Sequence, residues 1–125
     1  RGEFKKNRSA SNYHNTSPTL ESQINIIKKI QSKINVINIY SDQSPIETNR
    51  ELDGKLNNFK LNFFPEEANG TKVLQHMTKN DVIILSNSTL SILSSILSNQ
   101  LALFNNQILP NKVKSFFKNI VEVNF

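Results

Sequence analysis

Asp81-Val-Ile-Ile-Leu-Ser-Asn-Ser-Thr-Leu-Ser-Ile-Leu-Ser-Ser-Ile-Leu97 is the segment of this chain that sets its fold class. It opens on an apolar run of β type, Val82 to Leu85. Four small polar residues follow: Ser86, Asn87, Ser88 and Thr89. The pattern then becomes helical. At about 3.6 residues per turn, Leu90, Ile92, Leu93, Ile96 and Leu97 share one side of the helix, and Ser91, Ser94, Ser95 and Ser98 share the other. A strand that feeds a helix through a Ser/Thr/Asn turn presents backbone N–H groups and hydroxyls at the helix N-terminus, where an anion finds donors and a favourable dipole. The same residue types are ordinary helix caps.

Outward from this segment the chain alternates. Residues 1–16 read as a polar loop. Ser17-Pro18 reads as a helix start, with Ser as cap and Pro at the first helical position. Leu20, Ile24, Ile27, Ile30 and Ile34 recur at helical spacing. Val36 to Tyr40 is rich in β-branched residues and reads as a buried strand. A turn over Ser41 to Pro45, a short helix from Pro45 to Leu52 and a stop at Asp53-Gly54 follow. Lys60 to Phe64 is a second, weaker strand, broken by Pro65-Glu66-Glu67. Thr71 to Lys79 carries Val73, Leu74 and Met77 on one helical face. Beyond Leu97, Leu101 to Phe104 is a short strand. Pro110 to Lys118 is expected to be helical with Val113, Phe116 and Phe117 inward, and Val121 to Val123 to be a last strand.

Composition narrows the function classes. A chain of 125 residues amounts to one domain. The net charge is +5, and the positive residues are spread out, with Lys5-Lys6-Asn7-Arg8 the densest run. The Phe and Tyr residues are not interleaved with that run, so a single-strand nucleic-acid reader is not expected. The absence of cysteine excludes disulfides, thiolate nucleophiles and Cys-type metal sites. His14 and His76 are far apart and show no metal-ligand spacing. Val82 to Leu97 is too short and too polar to span a bilayer. The Asn-x-Ser/Thr triplets at Asn7, Asn15, Asn69 and Asn87 fall in a chain rich in Asn and Ser and read as chance occurrences.

Strands alternating with helices predict an α/β domain with a mostly parallel sheet flanked by helices. Ligands of such sheets bind beyond the carboxyl ends of the strands. Three polar segments are expected on that edge: Ser41-Asp42, Ser86 to Thr89, and the loop that opens at Arg1, provided the residues before it form a strand. The expected ligand carries phosphate, held by an arginine, several hydroxyls and a helix N-terminus. No glycine-rich dinucleotide fingerprint or P-loop is present, so the site would be lined by serines.

Three elements, in order, resemble the GDP-fucose-dependent fucosyltransferases of the α-1,2, α-1,6 and protein O-fucosyltransferase types. Arg1-Gly2-Glu3-Phe4 is similar to the end of that family's His-x-Arg-Arg-Gly-Asp-Tyr segment, as if the sequence were cut from a longer protein just after a strand. Ile39-Tyr40-Ser41-Asp42 is similar to its Phe-Ser-Asp element, and the stretch from Leu74 to Ser91 to its last motif, Ser-Asn-Ser-Ser/Thr-Phe-Ser. The resemblance covers about residues 1 to 98. It implies the C-terminal, Rossmann-like, donor-binding half of a GT-B glycosyltransferase. The implied reaction is an inverting transfer of fucose from GDP-fucose to a glycan or protein acceptor, without cofactor or metal. By the same resemblance Arg1 would contact the donor diphosphate and offset charge on the leaving GDP. Ser86, Asn87, Ser88 and Thr89 would hold the same phosphates, and Asp42 would lie near the nucleoside or the sugar. The implied setting is the cytoplasm or membrane periphery for a bacterial enzyme and the secretory pathway for a eukaryotic one, with any membrane association carried by regions outside this sequence.

The sequence departs from that pattern at Glu3, where the family has Asp, and at Leu90, where it has Phe; Ile92-Leu93 stands in place of a Trp-rich continuation. The alternative is a non-catalytic α/β interaction module that keeps the fold without donor chemistry. A basic nucleic-acid binder ranks behind both.

Overall fold

The computed structural model describes residues 18–64, 69–86, 88–105 and 109–124. The polar loop assigned to residues 1–16 lies outside them, as does the break at Pro65-Glu66-Glu67. Helix α1 (Leu20–Lys29) is capped by Thr19, whose side chain accepts the Ser22 N–H at 3.0 Å. The cap is therefore Thr19 and not Ser17, and Pro18 precedes the helix instead of opening it. Ile24, Ile26 and Ile27 are buried, each fully buried Ile stabilising the fold by about 1.5–3 kcal/mol. A 3-10 turn (Gln31–Lys33) leads into β1 (Val36–Tyr40). Helix α2 (Pro45–Leu52) has Ser44 as its cap, accepting the Glu47 N–H at 3.3 Å, with proline in its first turn. It ends where Asp53 (φ 48°) and Gly54 (φ 71°) take left-handed backbone conformations, which glycine adopts without strain.

Strand β2 (Lys60–Phe64) pairs in parallel with β1, Val36 opposite Lys60 and Tyr40 opposite Phe64. Helix α3 (Gly70–Met77), capped by Asn69, leads to β3 (Val82–Ile84). Helix α4 (Thr89–Leu97), β4 (Leu101–Phe104), the single-turn helix α5 (Asn111–Lys114) and β5 (Ile120–Glu122) complete the order. All three strand pairings are parallel.

The chain is α/β, as expected, but its strands form two small parallel sheets in place of one: β1 with β2, and β3–β4–β5. Each has its own core. Ile24, Ile27, Leu52 and Leu56 pack under the first, joined by Ile37, Ile39 and Ile84. Met77, Ile83, Leu85, Ala102, Phe104, Leu109 and Phe117 pack around the second. Strand β4 is the second sheet's middle strand, which is why Ala102, Leu103 and Phe104 are all buried.

Helix α4 turns its serine side inward. Ser91, Ser94 and Ser95 are buried, while Leu97 is 60 % exposed. Small side chains let the helix approach the sheet closely, and each hydroxyl finds a partner inside. Ser95 Oγ donates to Ser91 O at 2.9 Å, and Ser94 Oγ donates to Gln100 Oε1 at 3.0 Å. The buried Gln100 carboxamide also donates to the carbonyls of Met77 and Asn80, tying the end of α3 to the entry of β4. The expected helix over Pro110 to Lys118 stops at Lys114, where N–H groups of Phe116 and Phe117 bond back to Val113 and Lys114 as turns. Phe117 is buried as expected, whereas Phe116 is 58 % exposed because the helical period does not reach it.

Gln100→Leu fits the volume but leaves the Asn80 carbonyl and the Ser94 hydroxyl without the partner they have here, and removes one of the donors to the Met77 carbonyl. We expect a loss of about 3 kcal/mol, read as a lower urea midpoint at unchanged m-value; a loss under about 1 kcal/mol would mean that Gln100 does not bridge α3 and β4.

Candidate functional site

The carboxyl ends of β1 and β3 open onto one cavity of about 810 Å³. Ser41, Asp42 and Gln43 line it after β1, and Ser86, Ser88, Leu90 and Ser91 line it after β3. Sequence reasoning placed Asp42 and the Ser86–Thr89 segment on a common edge, and Asp42, Ser86 and Ser88 do share this cavity. Thr89, the first residue of α4, is exposed and is not among the lining residues. Arg1 and Asn87 lie outside the described residues.

The βα turn after β3 is built from serines that satisfy one another. Ser86 Oγ accepts the Ser88 N–H at 3.2 Å, and Ser88 Oγ accepts the Leu90 N–H at 3.3 Å. Ser91 Oγ donates to the carbonyls of Ser86 (3.0 Å) and Ser88 (2.9 Å). These bonds do the work of an ordinary N-cap and take up two of the N–H groups at the helix start. Neither cap uses the N–H of Thr89. The turn after β1 is similar in kind: Ser41 donates its N–H to Phe64 O at 3.2 Å, and its Oγ accepts the Gln43 N–H at 3.1 Å. Each turn is therefore held by hydrogen bonds of its own among the described residues.

Thr48, on α2, lines the same cavity, and its residue is 8 % exposed. Its Oγ1 is buried with no hydrogen-bond partner among the described residues. A buried hydroxyl normally has a partner, so Thr48 is an exception among the described residues.

A second polar feature was not anticipated from sequence. Asn62 Nδ2 donates to Asn38 Oδ1 (3.0 Å), Asn38 Nδ2 to Asn80 Oδ1 (2.6 Å) and Asn80 Nδ2 to the Tyr40 hydroxyl (2.9 Å). The Tyr40 hydroxyl also lies 2.6 Å from His76 Nδ1, a hydrogen bond whose donor depends on the imidazole tautomer. The relay crosses from β2 through β1 to α3. Phe64 stacks on Tyr40 with centroids 4.8 Å apart and lies against His76 at 4.3 Å. Partial burial raises the Tyr40 pKa above its ordinary value of 10.0, and the Asn80 hydrogen bond opposes that rise. His76 is thus held between the Tyr40 hydroxyl and the Phe64 ring. The signal that would have found the relay is the period of two shared by Asn38 and Tyr40 on β1 and by Asn62 and Phe64 on β2. In the observed register this makes them cross-strand pairs on one face.

Among the described residues no group of three or more His, Asp or Glu side chains is placed to hold a metal ion, and no helix is long and apolar enough to cross a membrane. Comparison with protein-family models finds no match, and comparisons with curated proteins and with solved structures find none either.

Tyr40→Phe removes the hydroxyl that joins Asn80 to His76. We expect it to cost about 1 kcal/mol by urea denaturation near neutral pH. The folded state holds the phenol proton more tightly than the unfolded state. The stability this contributes is complete below pH 10.0 and is lost as pH rises through the higher folded value. The variant should therefore lose less stability than the parent above pH 10.0; equal losses would contradict the assignment.

Proposed function

We propose that this chain is the donor-binding α/β part of a nucleotide-sugar-dependent glycosyltransferase, with GDP-fucose as donor and a glycan or protein as acceptor. The observation that carries the reading is that the turns after two parallel strands, β1 and β3, meet at the carboxyl-end mouth of one cavity. It gathers Asp42, Ser86 and Ser88, residues that the fucosyltransferase resemblance and the βα-turn chemistry each select. In this reading Arg1 holds the diphosphate and counters the charge that grows on the leaving GDP. The start of α4 supplies hydroxyls, the Thr89 N–H and the positive end of a helix dipole. Asp42 faces the nucleoside or the sugar. The GT-B arrangement and the fucose donor rest on the resemblance alone.

The second reading, a non-catalytic module of the same fold, is favoured by one observation: Ser86, Ser88 and Ser91 spend their hydroxyls on one another and on the helix cap.

Free GDP separates the two. At about 100 times its Kd a ligand stabilises the folded state by about 2.7 kcal/mol, so GDP should raise the melting temperature of the full-length protein. Arg1→Ala should remove most of that shift at the same GDP concentration. Equal shifts in both proteins would remove Arg1 from the phosphate site, and no shift in either would favour the module.

A further inference from the structure

We propose that the space between β1 and β3 is the berth of a sixth β-strand, parallel to both and predominantly apolar, supplied by this same polypeptide ahead of Arg1. The inference does not rest on the donor reading. The cavity is lined along one wall by all of β1, Val36 to Tyr40, and along the other by all of β3, Val82 to Ile84. No residue of β4 or β5 lines it, and of β2 only Phe64 does. β1 and β3 belong to different sheets, with no ladder of hydrogen bonds between them among the described residues. They are the two inner edges of an interrupted sheet.

The pleat directs the backbone of both edges into that space. In a parallel strand, successive residues turn their N–H and C=O groups to opposite sides. On β1 the Ser41 N–H bonds to Phe64 O and the Asn35 carbonyl accepts from Lys60, so odd-numbered residues face β2. Val36, Asn38 and Tyr40 therefore face the cavity. On β3 the Leu85 N–H bonds to Leu103 O and the Asp81 carbonyl accepts from Leu101, so Val82 and Ile84 face the cavity from the other side. Backbone groups of a sheet interior are obligatory hydrogen-bonding groups, and one parallel strand between these edges pairs with both sets at once.

Strand order specifies which strand is absent. In a doubly wound sheet the first strand lies in the middle; the second and third step outward on one side, and the fourth, fifth and sixth on the other. Here β1 and β2 step outward from the cavity on one side, and β3, β4 and β5 on the other. The five strands occupy the second to sixth places, and the cavity occupies the first. The crossover is also in position: Pro18, Leu20, Gln23, Ile24, Ile27 and Ile30, from α1 and its two ends, wall the cavity, so the chain entering α1 arrives beside the berth. A right-handed strand–helix–strand unit ending in β1 needs its first strand there. Residues 1–16 contain no apolar run to supply it. Ile37, Ile39 and Ile84 belong to the core beneath one face, and Ile83, Met77 and Tyr40 to the core on the other, where Asn38 and Asn80 also stand; a strand covered on both faces in this way is predominantly apolar.

Residue-resolved amide exchange on the full-length protein tests this. The amides of Asn38, Tyr40, Val82 and Ile84 are expected to exchange at least about 1,000-fold more slowly than free-peptide rates, in the same class as those of Ile37 and Ile39. The protection should be unchanged on about hundredfold dilution, because the strand is in the same chain. Fast exchange at those four positions with Ile37 and Ile39 still protected would show an empty berth. Fast exchange at all of them would show that the sheet itself is absent. Protection lost on dilution would assign the strand to a second molecule. Each of these three results overturns the proposal.

Discussion

Backbone groups at the centre of a sheet have to be paired, and that constraint decides the shape of this molecule. β1 and β3 turn N–H and C=O groups toward a shared cavity, and among the described residues each has a hydrogen-bonded neighbour strand on its far side only. The division into two sheets, the two separate cores and the position of the candidate site at the mouth of the cavity all follow from that interruption. With the berth filled by one strand, the two cores become the two faces of one continuous sheet. The mouth, where Asp42, Ser86 and Ser88 lie, becomes the point from which strand order runs outward in both directions, the place where such sheets bind ligands.

Polar side chains as well as apolar ones hold the halves in place. The Asn62–Asn38–Asn80–Tyr40–His76 relay joins the first sheet to α3, and Gln100 joins the end of α3 to the entry of β4. Helix α4 belongs to the same pattern, with its buried serines bonded inward and Leu97 outward. Such networks are costly when broken, because an orphaned group in a low-dielectric interior keeps its full desolvation penalty. They also make the molecule's architecture depend on a few amide and hydroxyl groups in a chain that is only 37 % hydrophobic.

Much of the local structure was legible. β1, α2, β2 and β4 fall at the expected residues because their signals are local: β-branched runs, a Ser-Pro start and an Asp-Gly stop. The inward serine face of α4 was not legible, since periodicity identifies two sides of a helix but not which one meets the sheet; that depended on Gln100 and close approach. The division of the sheet was invisible for the same reason, being a relation between β1 and β3 that no run of residues encodes. At the site, the common edge of Asp42 and Ser86–Ser88 could be read from topology rules. The mutual satisfaction of Ser86, Ser88 and Ser91 and the orphaned Thr48 hydroxyl required geometry.

The most direct measurement is the set of backbone NOEs across β1 and β3 in the full-length protein. A strand in the berth gives cross-strand NOEs from Asn38 and Tyr40, and from Val82 and Ile84, to one and the same third segment, with none linking β1 to β3. NOEs running directly from β1 to β3 would show the two sheets closed against each other, and would remove the berth.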